Sequence, residues 1–462
     1  MAKTTIQYVC SSCGAKAPQL LGRCPVCGEW GTYEEEIVQQ RSGLTATRSN
    51  SVRGLTGEAG QPKRLQDVEA TEEMRIDMHN GEFNRVLGGG LVPGSLVLLG
   101  GEPGIGKSTL ALQVLMQQGE RKTFYASGEE SVRQLKLRAE RLAGNAENLF
   151  ISSETSLERI LEQVKEIEPE MVVIDSIQTI GTEAIEASIG SLSQVRECAA
   201  RILEFAKTRN IPFIIIGHIN KEGSLAGPKV LEHIVDTVLQ FEGDQQYMYR
   251  ILRAQKNRFG STSELGIYEM RQEGLREVTN PSELLLSTAR EGLSGIAIAA
   301  AVEGVRPFLI EVQALVSSAA YGTPQRSSTG FDGRRLNMLL AVLEKRVGFK
   351  LLQKDVFLNI AGGLRVQDPA IDLAVLAAVL SSNMDIPLDA GTCLCGEVGL
   401  AGEIRSVNRI EQRIQEAQKL GFKRILIPAE QVERLDTRKN PMGIEVVGVK
   451  KVTDAFRLLI KG

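Results

Sequence analysis

Nine consecutive residues, Gly101-Glu102-Pro103-Gly104-Ile105-Gly106-Lys107-Ser108-Thr109, constrain this chain more than any other feature. They fit G-x4-G-K-[ST], follow the apolar run Ser95–Gly100, and open the helical-period run Ser108–Gln118. Strand, glycine-rich turn and helix in that order bring successive backbone N–H groups to a helix N-terminus, where they cradle phosphates. Lys107 then reaches the β- and γ-phosphates, and the Ser108 hydroxyl ligates Mg²⁺. The segment reads as a site for ATP or ADP with Mg²⁺.

The surrounding pattern fits a sheet built for such a turn. Short apolar runs at 95–100, 123–127, 149–152, 171–176 and 212–218 alternate with segments of helical period. That alternation specifies α/β architecture, a parallel sheet with helices on both faces. Asp175 ends the run Met171–Ser176, where an acid suits a carboxylate that holds Mg²⁺ through water. Glu129 and Glu130 follow the run Thr123–Ser127 and are read as the base that orients the attacking water, Glu129 first and Glu130 as its substitute. The same two acids would also favour the dipole of the helix after them. His218, at the end of 212–218, is either a sensor of the γ-phosphate or a satisfied polar residue at a strand end.

Upstream, Cys10-x2-Cys13 and Cys24-x2-Cys27 form two thiolate pairs, with Gly14 and Gly28 following each. A two-residue gap lets both sulfurs meet one tetrahedral ion at about 2.3 Å, and glycine allows the tight turn. Zn²⁺ in a structural role is expected, with iron as the other S4 ion. Cys198, Cys393 and Cys395 lack pair partners and read as packing residues. Seven cysteines so distributed point to a reducing compartment rather than a disulfide scaffold.

Length divides the remainder. The 462 residues hold roughly three domains at about 150 residues each. We expect a finger at 1–33, a flexible linker at 34–61, an ATPase domain at 62–279 and a second α/β domain at 280–462. Tyr247–Glu269 reads as an antiparallel extension of the first sheet, with a turn at Phe259-Gly260. A balance of 42% hydrophobic and 24% charged residues excludes disorder throughout. No apolar run approaches the roughly 18 residues of a membrane span, and the N-terminus lacks a hydrophobic signal core, so a cytoplasmic protein is expected. The formal charge of −3 decides nothing about nucleic acid, because a binding channel needs only local positive charge.

These motifs, the run Leu87–Thr109 and the pentapeptide Lys256-Asn257-Arg258-Phe259-Gly260 together resemble the RadA (Sms) family of bacterial DNA repair proteins, over nearly the whole chain. The resemblance implies a four-cysteine finger, a RecA-like P-loop ATPase core and a C-terminal domain similar to the Lon protease domain. It implies a hexameric ring on single-stranded and branched DNA, an ATP-driven role in branch migration during homologous recombination, and work beside the recombinase RecA. Lys256 and Arg258 would then reach a neighbouring subunit's phosphates, as an arginine finger does in trans. Without that setting the pentapeptide is a basic turn between strands. Segments Thr179–Ser193 and Asn220–Val230 correspond to DNA-facing loops, the second with Lys221 and Lys229, which would otherwise be solvated loop charges.

In the Lon-like region, alanine (Ala370) stands at the nucleophile position of Val366–Asp372, and glutamate (Glu411) stands at the base position beyond Gly396–Gly402. Serine–lysine proteolysis is therefore not expected. Arg334, Arg335, Lys345, Arg346 and Lys350 form either a basic surface for duplex DNA or the exposed face of an amphipathic helix. The favoured reading is a DNA-dependent ATPase. The other classes are an ATP-dependent protease, opposed by Ala370 and Glu411, and an ATP-switched binding or remodelling factor.

Overall fold

The computed structural model describes residues 3–10, 15–26, 28–40, 64, 74–142, 144, 146–218, 228–243, 249–287, 292–319, 324–435 and 443–460. The chain divides into two compact units, Met1–Glu277 and Val278–Gly462. Among the described residues no helix is long and apolar enough to cross a membrane.

At the N-terminus β1 (Lys3–Cys10), β2 (Lys16–Ala17) and β3 (Tyr33–Gln40) form an antiparallel sheet in the order β2-β1-β3. Here the expected boundary shifts. The linker was placed from residue 34, but β3 continues to Gln40, pairing Ile37 with Ile6 and Val38 with Thr5. The β-branched residues at both pairs favour the ladder, and the acids Glu34–Glu36 do not prevent it. The remainder of the expected linker, residues 41–61, lies outside the described residues.

The rest of the first unit follows in order: α1 (Gly81–Leu87), β4 (Leu96–Gly101), α2 (Lys107–Met116), β5 (Thr123–Ser127), α3 (Val132–Ala139), β6 (Leu149–Ser153), α4 (Leu157–Ile167), β7 (Met171–Asp175), α5 (Leu192–Arg209), β8 (Phe213–His218), α6 (Pro228–Ile234), β9 (Thr237–Glu242), β10 (Tyr249–Asn257), β11 (Leu265–Arg271) and β12 (Gly274–Glu277). They build a nine-stranded sheet, β12-β11-β10-β9-β4-β8-β7-β5-β6. Strands β9 to β6 in that list run parallel, while β10, β11 and β12 add an antiparallel meander, as expected from 247–269.

The central strands β4, β5 and β7 are buried at every position and mostly apolar because both their faces are covered. Val97 and Leu99 of β4 join Met171 and Val173 of β7 in a core with α1, α2 and α3, whereas Leu96, Leu98, Val172 and Ile174 join the opposite core with α4, α5 and α6. Helix starts are fixed by side chains that satisfy otherwise unbonded N–H groups. Ser131 and Gln134 form a reciprocal capping box on α3, and Ser156 and Ser191 cap α4 and α5.

The second unit comprises α7 (Pro281–Leu285), β13 (Ile296–Glu303), β14 (Arg306–Ser318), β15 (Arg326–Thr329), α8 (Gly333–Val342), β16 (Lys354–Ile360), α9 (Asp372–Met384), β17 (Thr392–Leu394), β18 (Glu397–Val398), β19 (Ile404–Arg405), α10 (Ile410–Lys419), β20 (Arg424–Pro428), α11 (Ala429–Val432), β21 (Glu445–Val449) and α12 (Val452–Ile460). Its mixed sheet has the order β15-β16-β14-β13-β17-β20-β21. Helix α9 is buried from Asp372 through Ser381, which accounts for its unbroken apolar run.

Candidate functional site

The phosphate loop leaves β4 at Gly101 and enters α2 at Lys107. Its glycines are required by the path. Gly106 has φ +114° and a Cβ there would lie 2.8 Å from Met270 Cε, and a Cβ on Gly101 would lie 2.6 Å from the Phe241 carbonyl. Glu102, Pro103 and Gly104 are exposed, Ile105 plugs into the core, and Ser108 and Thr109 are half-buried in the first turn of α2.

The Lys107 side chain is buried and folded back on the loop. Its Nζ donates to the carbonyls of Gly101 (2.7 Å) and Glu102 (2.9 Å) and lies 3.3 Å from His218 Nδ1. Burial pushes its ammonium pKa down to about 8, although Asp175, Glu129 and Glu102 favour the charged form. Phosphate oxygens entering the loop would take over from the two carbonyls.

His218 is a bridge. Nδ1 faces the donor Lys107, so the ring hydrogen sits on Nε2, which is 3.1 Å from Glu129 Oε1. The same Glu129 oxygen accepts from the Ser176 hydroxyl. Burial acts to raise the Glu129 carboxyl pKa, but the hydrogen bonds from Ser176 and His218 and the charge of Lys107 hold it below the ordinary value. Glu129 is thus ionised and aimed among Lys107, His218 and Ser176, which suits the base position. Glu130, the substitute, points elsewhere and pairs with Arg138 on α3. Both acids leave β5 in a turn held by Ser127 Oγ, which accepts from the N–H groups of Glu129 (3.2 Å) and Glu130 (2.9 Å).

Asp175 is 2% exposed at the end of β7, in register with Ser127 of β5. The Tyr125 hydroxyl donates to its Oδ2 at 2.5 Å, while its buried Oδ1 has no hydrogen-bond partner among the described residues. An orphaned carboxylate oxygen beside a phosphate loop fits a water ligand of Mg²⁺. Neither Tyr125 nor Ser176 was singled out from sequence. The available signal was a phenol inside the otherwise inward-packed run Thr123–Ser127, since a buried tyrosine needs a partner for its hydroxyl.

The pentapeptide is anchored within its own unit. Lys256 Nζ donates to the carbonyls of Glu232 (2.6 Å) and Val235 (2.8 Å) at the exit of α6. Arg258 pairs with Asp236 at 3.2 Å yet remains 54% exposed. Asp236 is itself buried, accepting from the Leu96 N–H at the start of β4 and pairing with Lys207 at 3.0 Å. The first expected DNA-facing loop presents exposed Glu183 and Glu186, and Gln194 Nε2 organises it by donating to the carbonyls of Thr182, Ile185 and Ala187. Lys221 and the Lys229 side chain lie outside the described residues.

In the finger, Cys10 and Cys24 are buried in one small core with Ala17 and Tyr33. The two knuckles match: Cys10 N–H donates to the Ala15 carbonyl and Cys24 N–H to that of Glu29, each five residues on. The Thr32 hydroxyl lies 3.1 Å from Cys10 Sγ, and the Tyr33 hydroxyl donates to Cys24 Sγ. Paired knuckles with soft sulfur donors suit a thiophilic ion. Cys13 and Cys27 lie outside the described residues.

The second unit corrects one candidate and explains two others. Arg335, read as a DNA contact, grips the buried Asp372 with Nε and Nη2 at 2.7 and 2.6 Å. That fork is a structural pair, invisible from the helix face alone because its partner is 37 residues away. Arg334, Lys345, Arg346 and Lys350 are exposed. Ala370 is fully buried and offers only a methyl group, and Glu411 is exposed on α10. The interior position on that helix belongs to Arg413, which is 0% exposed and donates to Asp368 (2.6 Å), the Ala300 carbonyl (2.7 Å), and Asn408.

Comparison with known proteins agrees with this division. Residues 80–277 match the family model described as KaiC, residues 8–35 that of the rubredoxin metal binding domain, and residues 331–431 that of subunit ChlI of Mg-chelatase. The chain carries a RecA-like P-loop ATPase fold, an N-terminal zinc ribbon and a ChlI/Lon-like C-terminal unit. It is 51% identical to the DNA repair protein RadA of Bacillus subtilis, covering 100% of both chains. It is 48% identical to that of Listeria monocytogenes, over 99% of this chain and 98% of the other. For Halalkalibacterium halodurans the identity is 45% over 100% of both.

Proposed function

The chain belongs to the RadA family of bacterial DNA repair proteins, a DNA repair ATPase, and from that premise we propose that its ATP hydrolysis depends on DNA and drives branch migration of recombination intermediates. The observation that carries the ATPase part is the meeting of Lys107, Glu129, Asp175 and His218 at the ends of neighbouring strands β4, β5, β7 and β8. Lys107 exchanges backbone carbonyls for β- and γ-phosphate oxygens, and the loop N–H groups hold the rest of the triphosphate. Mg²⁺, held by Ser108 and through water by Asp175, would neutralise charge developing on the phosphates. Glu129, ionised and fixed by Ser176 and His218, orients the attacking water. Movement of Lys107 toward phosphate frees His218 Nδ1, which gives that histidine a means of registering nucleotide.

Arg258, half exposed beside Asp236, supports the finger role in trans within a homo-oligomeric, hexameric ring. Lys256 supports it from behind by holding the exit of α6. The ring would act in the cytoplasm on single-stranded and branched DNA beside RecA, with Zn²⁺ on Cys10, Cys13, Cys24 and Cys27 and no proteolysis by the C-terminal unit.

The test is ATP turnover with and without single-stranded DNA at fixed salt, since phosphate contacts weaken as salt rises. Strong stimulation is expected, abolished with all turnover in Lys107→Ala. Arg258→Ala and Lys256→Ala should lose stimulation while the protein remains folded. Turnover indifferent to DNA would replace the motor by an ATP-switched remodelling factor.

A further inference from the structure

We propose that Tyr125 is a positioning residue for the nucleotide-bound metal, its hydroxyl occupying one oxygen of Asp175 so that the other is reserved for Mg²⁺-bound water; this rests on the ATP site described above. Strands β5 and β7 are parallel neighbours with Tyr125 opposite Val173 and Ser127 opposite Asp175. Residues 173 and 175 alternate onto the same sheet face as Tyr125, so its phenol runs along that face to the carboxylate.

Packing alone does not ask for a hydroxyl there. Tyr125 is 0% exposed in a core with Leu110, Leu135, Met171 and Val173, where phenylalanine would fill the same space. A phenol has one hydrogen to donate, and this one goes to Asp175 Oδ2. Asp175 Oδ1 is left buried without a partner among the described residues, an arrangement that is unfavourable unless a ligand completes it. The nearby competing charge is the Lys107 ammonium, which Asp175 favours more than any other acid does. A carboxylate released from Tyr125 is free to rotate toward Lys107 and pair with it, withdrawing both the metal's water ligand and the phosphate's cation. The hydroxyl therefore keeps the aspartate and the lysine apart until Mg²⁺ and phosphate arrive together.

The test measures binding rather than turnover. Binding of a fluorescent ADP analogue is titrated with Mg²⁺ in full-length wild-type protein and in Tyr125→Phe. Loss of a group that orients a metal's ligand typically weakens metal affinity by about tenfold or more. The Mg²⁺ concentration at half-effect should rise by that factor, while nucleotide binding without Mg²⁺ stays at the wild-type value and the variant remains folded. Tyr125→Met, an adaptable apolar filler, should give the same shift. An unchanged Mg²⁺ titration in a folded variant overturns the proposal, as does equal weakening with and without Mg²⁺, or failure of both variants to fold. Failure of the wild type to bind the analogue with Mg²⁺ would instead remove the nucleotide site itself.

Discussion

In the first unit Asp175 is buried with one oxygen unengaged, and the Lys107 ammonium is tethered to two carbonyls that a phosphate can replace. In the second unit the buried acids Asp368 and Asp372 are saturated. Asp368 accepts from Arg413 and from the N–H groups of Val302 and Ala370, and Asp372 accepts from Arg335 and the Val398 N–H. Both units bury opposite charges close to strand ends, but among the described residues Asp175 keeps an oxygen unengaged where Asp368 and Asp372 do not. Ion pairs whose every acceptor is filled hold elements together, whereas a buried carboxylate oxygen left without a partner beside a phosphate loop leaves room for a ligand.

That contrast is sharpened most by Glu129→Gln, which should lower kcat by about 10²–10⁴. Glu130→Gln should leave it within about fivefold, because a partly exposed ion pair contributes at most about 1 kcal/mol. Equal losses from the two would mean that the turn after β5 acts as a whole. Next in size is Arg413→Ala, which strands the Asp368 carboxylate in the interior. Urea unfolding followed on the second unit should show about 3–5 kcal/mol lost, with turnover per folded molecule retained. A midpoint that does not move would show the pair to be dispensable and end the distinction drawn here.

The smallest effect concerns pH. The free protein's Lys107 has a pKa lowered to about 8, and phosphate binding requires the ammonium, so binding above pH 8 must take up a proton. Nucleotide affinity measured by calorimetry should be nearly flat below about pH 7 and weaken by about fivefold between pH 8 and 9, with proton uptake visible across buffers of different ionisation enthalpy. Constant affinity to pH 9 would place the lysine outside the phosphate contacts.

The ATPase sheet was legible because its signals are local. The runs at 123–127 and 171–176 coincide with β5 and β7 to within a residue, and a strand covered on both faces announces itself by continuous apolarity. In the second unit β14, β20 and α9 carry the same kind of local signal, apolar runs that end close to where the elements end. What escaped was pairing between distant residues. A basic helix face does not reveal that Arg335 will meet Asp372, and a loop acid does not reveal that Glu130 will turn to Arg138 while Glu129 turns to His218. Likewise the finger's length was misjudged, because a run of three glutamates reads as solvent-facing chain until its ladder partner on β1 is known.

The sheet order has a mechanical consequence. Strand β4, which ends in the phosphate loop, is bonded along its length by β8 on one side and β9 on the other, and β9 in turn carries the hairpin bearing Lys256 and Arg258. A force applied to that hairpin would load the β9–β4 ladder lengthwise, so several hydrogen bonds would share it instead of parting one after another. The phosphate loop and the basic hairpin are thereby joined through one continuous hydrogen-bonded ladder, so that a displacement of either would be felt at the other.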